Sequence, residues 1–71
     1  MTEEYTTPKG VRPGSAYDTW RRAGWEHGRS GKKDDDETVL EAFVAERRWM
    51  PDPDIIRTAF RSGLDKARRT P

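Results

Sequence analysis

The stretch Asp52-Pro53-Asp54-Ile55-Ile56-Arg57-Thr58-Ala59-Phe60-Arg61-Ser62-Gly63-Leu64-Asp65-Lys66-Ala67-Arg68-Arg69 decides the fold. An acid followed by proline is a strong helix start. The Asp side chain caps backbone N–H groups that have no partner inside the helix, and proline has no N–H to leave unpaired. Asp54 adds a carboxylate at the positive end of the helix dipole, and Lys66, Arg68 and Arg69 place cations at the negative end. At about 100° per residue, Ile56, Ala59, Phe60, Gly63, Leu64 and Ala67 fall within an arc of about 140°. Arg57, Arg61 and Arg68 line the adjoining flank, within about 40° of one another. Cap, period and dipole agree, and they predict an amphipathic helix over residues 52–69.

The preceding segment predicts a second helix over about 35–49. Asp34, Asp35, Asp36 and Glu37 match the dipole at its start and offer capping oxygens. Val39, Leu40, Phe43 and Val44 form a compact apolar stripe, and Pro51 stops the helix after Met50. A first helix over about 15–29 opens at Ser15, where Ser15-x-x-Asp18 loosely matches a capping box. Tyr17, Trp20, Gly24 and Gly28 share one of its faces. Each glycine inside a helix costs about 1 kcal/mol against alanine, so close packing of another element onto that bare face is expected to compensate. Residues 22–29, Arg-Ala-Gly-Trp-Glu-His-Gly-Arg, align without gaps to residues 61–68, Arg-Ser-Gly-Leu-Asp-Lys-Ala-Arg. That likeness raises the prospect that the two glycine faces pack together as a pseudo-symmetric pair. Residues 1–14 are rich in breakers and read as a flexible N-terminal tail, the alternative being an arm folded over the domain or a partner.

The expected architecture is all-α: a small three-helix bundle or open helical hairpin over residues 15–71, with a disordered N-terminal tail. With 71 residues and a 31% apolar share against 38% charged, the core is thin and a homodimer is one way to complete it. Absence of cysteine removes disulfides and thiolate metal sites. No apolar run reaches membrane-spanning length, and the polar start Met1-Thr2-Glu3-Glu4-Tyr5 is unlike a signal peptide, so a cytoplasmic protein is expected. The net charge of +1 hides segregation along the chain. Residues 15–33 are basic on balance, residues 34–46 carry acids without a base, and residues 47–71 are basic again.

No constellation of catalytic residues is present, and an enzyme is the least favoured reading. His27 is the only histidine and has no nucleophile or second ligand at a telling distance. The acidic run 34–37 lacks the alternating spacing and glycine of a calcium loop, and capping explains it better. No phosphate-binding loop occurs. No cofactor and no metal are expected.

Two binding surfaces remain. Trp25, Trp49 and Met50 fall off the tidy stripes of their helices, and Arg22 and Arg48 flank them; tryptophan, methionine and arginine are enriched at protein interfaces. The leading expectation is a small non-enzymatic adaptor or inhibitor that binds another protein there. The other is a nucleic-acid-binding regulator using Arg57, Arg61 and Arg68 on the C-terminal helix. It lacks a recognised motif, and the competing reading of that stripe is a solvated face with local pairs such as Asp54–Arg57 and Arg61–Asp65. The short stretches Gly24-Trp25-x-x-Gly28-Arg29 and Phe60-Arg61-Ser62-Gly63-Leu64 resemble small accessory proteins from phages of high-GC bacteria. That resemblance implies at most that the partner is a host protein.

Overall fold

The structure is a computed structural model that describes residues 5–30 and 36–69. These form three helices, α1 (Ala16–Arg29), α2 (Asp36–Ala45) and α3 (Pro53–Arg69), and no strand occurs among the described residues. The all-α expectation holds. The proposed caps at Asp34 and Asp35 lie outside the described residues, as do residues 1–4 of the expected tail.

Local chemistry explains each helix boundary. Ser15 caps α1, its hydroxyl accepting from the Asp18 N–H at 3.2 Å. Asp18 does not return the bond to Ser15, as a capping box would. Its carboxylate accepts from the Gly14 N–H at 3.2 Å instead, while the Ser15 N–H is bound to the Arg12 carbonyl. Asp52 caps α3 by accepting from the Asp54 N–H at 3.1 Å. Helix α2 ends at Ala45, four residues before the expected 49. Its chain tightens there into three-residue turns, with the Arg47 N–H on the Val44 carbonyl at 2.9 Å and the Met50 N–H on the Arg47 carbonyl at 2.9 Å. Arg47 still serves the helix end, because its Nη1 donates to the Phe43 carbonyl at 3.1 Å.

Helices α1 and α3 pack with their backbones in contact. A Cβ on Gly24 would overlap the Phe60 carbonyl oxygen and lie 2.7 Å from its carbon. A Cβ on Gly63 would overlap the Arg21 carbonyl oxygen and lie 2.8 Å from both that carbonyl carbon and the Trp25 nitrogen. Small residues at such crossings let helices approach more closely than any side chain permits. Gly24 meets Phe60, and farther along both helices Gly28 meets Leu64 and Ala67, so α1 and α3 run parallel. Helix α2 runs back between them in sequence, antiparallel to α3, as its ion pairs with α3 show.

The crossing has an approximate two-fold symmetry that follows the sequence likeness between residues 22–29 and 61–68. Gly24 and Gly63 are equivalent in that alignment, and Arg21 and Phe60, each three residues earlier, correspond when it is extended by one residue. Each glycine therefore meets the residue that precedes the other glycine by three. Ala67 is the equivalent of Gly28, and a Cβ on Gly28 would lie 2.8 Å from the Ala67 Cβ. The glycines at 24 and 63 are what bring the two faces together.

The remaining core assembles on this pair. Trp20, Leu40, Val44, Ile56, Ala59 and Phe60 are buried in one cluster. The Phe43 and Phe60 rings lie 5.3 Å apart and tie α2 to α3. Tyr17, Val39, Met50 and Leu64 close the edges of the cluster.

Alanine normally stabilises a helix relative to glycine by about 1 kcal/mol, but here the added methyl meets backbone that cannot rotate away. Gly24→Ala and Gly63→Ala are each expected to lower stability by about 3 kcal/mol, the upper end of the usual overpacking penalty. Gly28→Ala meets the Ala67 Cβ at 2.8 Å and the Leu64 side chain and carbonyl oxygen at 3.2 Å, a smaller overlap, and is expected to cost less. Urea denaturation of the three variants measures the order. Equal or raised midpoints for Gly24→Ala and Gly63→Ala would refute the packing.

Candidate functional site

Three surfaces carry the side chains with chemical potential. The first is the seam between α2 and α3. Arg57 makes two bonds to the Glu41 carboxylate, both at 2.9 Å, and a third to Asp54 at 2.9 Å. Arg61 reaches Glu37 at 3.1 Å, and Arg68 clasps the Asp36 carboxylate, with Nη2 at 2.8 Å from Oδ1. Asp36 also meets His27 of α1 through Nε2 at 3.0 Å, so one carboxylate joins all three helices. The stripe Arg57, Arg61 and Arg68 thus faces the acids of α2. Of the expected local pairs, Asp54–Arg57 forms, whereas Asp65 pairs with Arg69 and Arg61 turns to Glu37.

The seam shifts its own titrations. Hydrogen bonding from Arg68 holds the Asp36 carboxyl below the usual range, with His27 adding to the effect. Arg57 does the same to Glu41, and its own guanidinium is held more firmly charged by Glu41 and then Asp54.

The second surface is the corner between α2 and α3. Trp49 is 69% exposed and Ile55 is 42% exposed, and among the described residues they are the large apolar side chains left in solvent. Arg48, Pro51 and Pro53 beside them are exposed as well. Met50, grouped with Trp49 in the sequence, turns inward and packs against the core. Arg47 lies over the Phe43 ring, 3.6 Å from its centroid, and shields that ring from solvent.

Comparison with family models, with curated proteins and with solved structures finds no match. The reading of this chain therefore rests on its own residues. No helix among the described residues is long and apolar enough to cross a membrane. Among them, too, no group of three or more His, Asp or Glu side chains is placed to hold a metal ion.

The third surface lies on α1, beneath residues 5–14. Asp18, 8% exposed, accepts from the Tyr5 hydroxyl at 2.5 Å, the Thr7 hydroxyl at 3.0 Å and the Gly14 N–H. The Tyr5 ring meets Trp25 edge-on at 5.7 Å and lies 5.5 Å from the Arg21 guanidinium. The hydrogen bond from Tyr5 holds the Asp18 carboxyl below its ordinary range, with Gly14, Thr7 and Arg21 assisting. Burial and the Asp18 bond push the Tyr5 hydroxyl up. At these residues the N-terminal segment makes the contacts of an arm folded on the domain. Trp25 is half-buried under it, with the Arg29 guanidinium 5.7 Å from its ring, and Arg22 is exposed and paired with Glu26. The residues expected to bind protein thus divide: Trp25 and Arg22 on α1, Trp49 and Arg48 at the corner, Met50 in the core's edge.

Sequence reading missed Asp18 as an anchor because its spacing from Ser15 already explained it as a cap. Tyr5 and Thr7 gave no periodic signal. The pairing of α2 with α3 did leave a trace, in the acidic segment followed by a basic one.

Asp36 and Glu41 have lowered values in the folded chain, so their contribution is complete above the ordinary carboxyl range, about pH 4. It is lost as pH falls through the lowered values. Glu41→Gln should therefore reduce the urea midpoint at pH 7 and shrink the loss seen on acidification, as followed by circular dichroism. High salt should narrow the same difference, since both partners are partly solvated. An unchanged midpoint at pH 7 and low salt would show that the pair contributes nothing.

Proposed function

We propose that this chain is a small non-enzymatic interaction protein, an adaptor or inhibitor that engages another protein through the corner bearing Trp49. The observation that carries the reading is the exposure of Trp49, with Ile55 exposed six residues on, in a chain otherwise short of apolar residues. A thin core gains by burying every large ring. An indole left in water, on the same turn-to-helix segment as a second exposed apolar side chain and flanked in the chain by Arg48, has the composition of an interface hot spot. Pro51 and Pro53 stiffen the corner, which lowers the entropy lost when a partner binds.

The nucleic-acid reading has less support. Arg57, Arg61 and Arg68 each have carboxylate partners on α2. A phosphate would have to displace those partners and would meet Glu37, Glu41 and Asp36 at the same place. The counterion release that drives binding to a polyanion is reduced when the cations are already neutralised.

Affinity purification of the tagged chain from its native host, with and without nuclease, tests the proposal against Trp49→Ala. The expected result is a protein that co-purifies after nuclease treatment and is lost with Trp49→Ala, while the helical circular dichroism of the variant is unchanged. Capture that requires nucleic acid, or that is equal for both chains, would overturn it. Direct titration with duplex and single strands, in parallel with Arg57→Glu/Arg61→Glu, gives the other reading its own chance to appear as salt-dependent binding.

A further inference from the structure

Residues 5–14 cover a place on α1 built from unlike groups that face one side. Asp18 and Arg21 are each 8% exposed, and Trp25 lies one turn farther on. Buried charges in a thin domain are costly unless they are fully paired. Asp18 is well served, with two hydroxyl donors and one backbone donor. Arg21 is not. Its Nε donates to the Ser62 hydroxyl at 3.2 Å, but its Nη1 is buried without a hydrogen-bond partner. Tyr5 lies against the guanidinium, its ring centroid 5.5 Å away and its hydroxyl close enough for Arg21 to oppose the rise in its pKa, yet Nη1 itself finds no acceptor.

We propose that Asp18, Arg21 and Trp25 form a peptide-binding site, occupied in cis by the chain's own residues 5–14. Its ligand is an extended segment of the Tyr-x-Thr kind, presenting two hydroxyls to Asp18 and an aromatic ring to Trp25 and Arg21. The strap seats these groups but leaves one arginine donor unmet, so a segment from another molecule that also offers an acceptor there is a better occupant than the strap. The middle of the strap and its junction with α1 are suited to release. Gly10 and Gly14 adopt positive φ, 91° and 81°, and turns at Pro8–Val11 and Arg12–Ser15 fold the chain back on short local bonds. The hydrogen bonds that hold it to α1 converge on one carboxylate, so loss of two hydroxyl donors removes two of the three and leaves the Gly14 bond and the ring contacts. The site shares no residue with the Trp49 corner.

A tethered strap competes at an effective concentration in the millimolar range, so a free peptide cannot enter the wild-type site easily. Removing the strap's donors raises the open fraction and the apparent affinity with it. The test uses the full chain with Tyr5→Phe/Thr7→Ala, which leaves every residue of the site in place. The probe is a synthetic peptide of residues 5–14, followed by NMR at the Trp25 indole and the Asp18 amide. Saturable shifts are expected in this variant at peptide concentrations where the wild-type chain gives none. Adding Asp18→Asn should weaken binding by about tenfold, the equivalent of one charge-assisted hydrogen bond, and Trp49→Ala should leave it unchanged. Absence of saturable shifts in the folded double variant, or binding that ignores Asp18→Asn, would overturn the proposal. Should the double variant lose its helical signal, Tyr5→Phe alone decides. Tryptic cleavage after Lys9 must then be faster than in the wild type, and an unchanged rate would show that the strap is not held through Asp18.

Discussion

Everything in this domain depends on two helices meeting where neither has a side chain. Gly24 rests on the Phe60 carbonyl and Gly63 on that of Arg21. This contact sets the separation and the direction of α1 and α3. It also turns Trp20 and Phe60 toward the same interior. Each glycine weakens its own helix as an isolated object, and the close approach restores what is lost through dispersion contacts between backbones. Helix α2 adds Leu40 and Val44 to the floor that the pair provides.

The charges then organise what apolar area cannot. A chain with so few apolar residues docks α2 through a row of arginine–carboxylate bonds, with Asp36 joined to His27 and Arg68 at once. Such exposed pairs contribute little singly. Their value here is register, because Glu41 opposite Arg57 and Glu37 opposite Arg61 admit one antiparallel alignment and penalise others.

Much of this was legible in the sequence. The caps at Ser15 and Asp52, the inward stripe Ile56–Ala59–Phe60–Gly63–Ala67 and the unusual glycines of α1 all obey local rules, and the repeat of residues 22–29 at 61–68 pointed to the glycine pairing. Long-range polar geometry was not legible. Asp18 looks the same in sequence whether it caps its own helix or anchors Tyr5, thirteen residues earlier. Nor does periodicity say which of two adjacent residues, Trp49 or Met50, turns inward at a non-helical turn. The end of α2 was placed too late for a related reason: Pro51 marks where a helix must stop, and the chain had already tightened before it.

The parallel pairing of α1 with α3 also orders events in time. The first helix finds its partner in the last, so most of the core cannot close until α3 has formed. Helices α2 and α3, neighbours in the chain, can meet earlier through their opposite charges, with little loop entropy to overcome. Until α3 has formed, Trp20 and the bare glycine face of α1 lack their partner and stay open to water and to other chains.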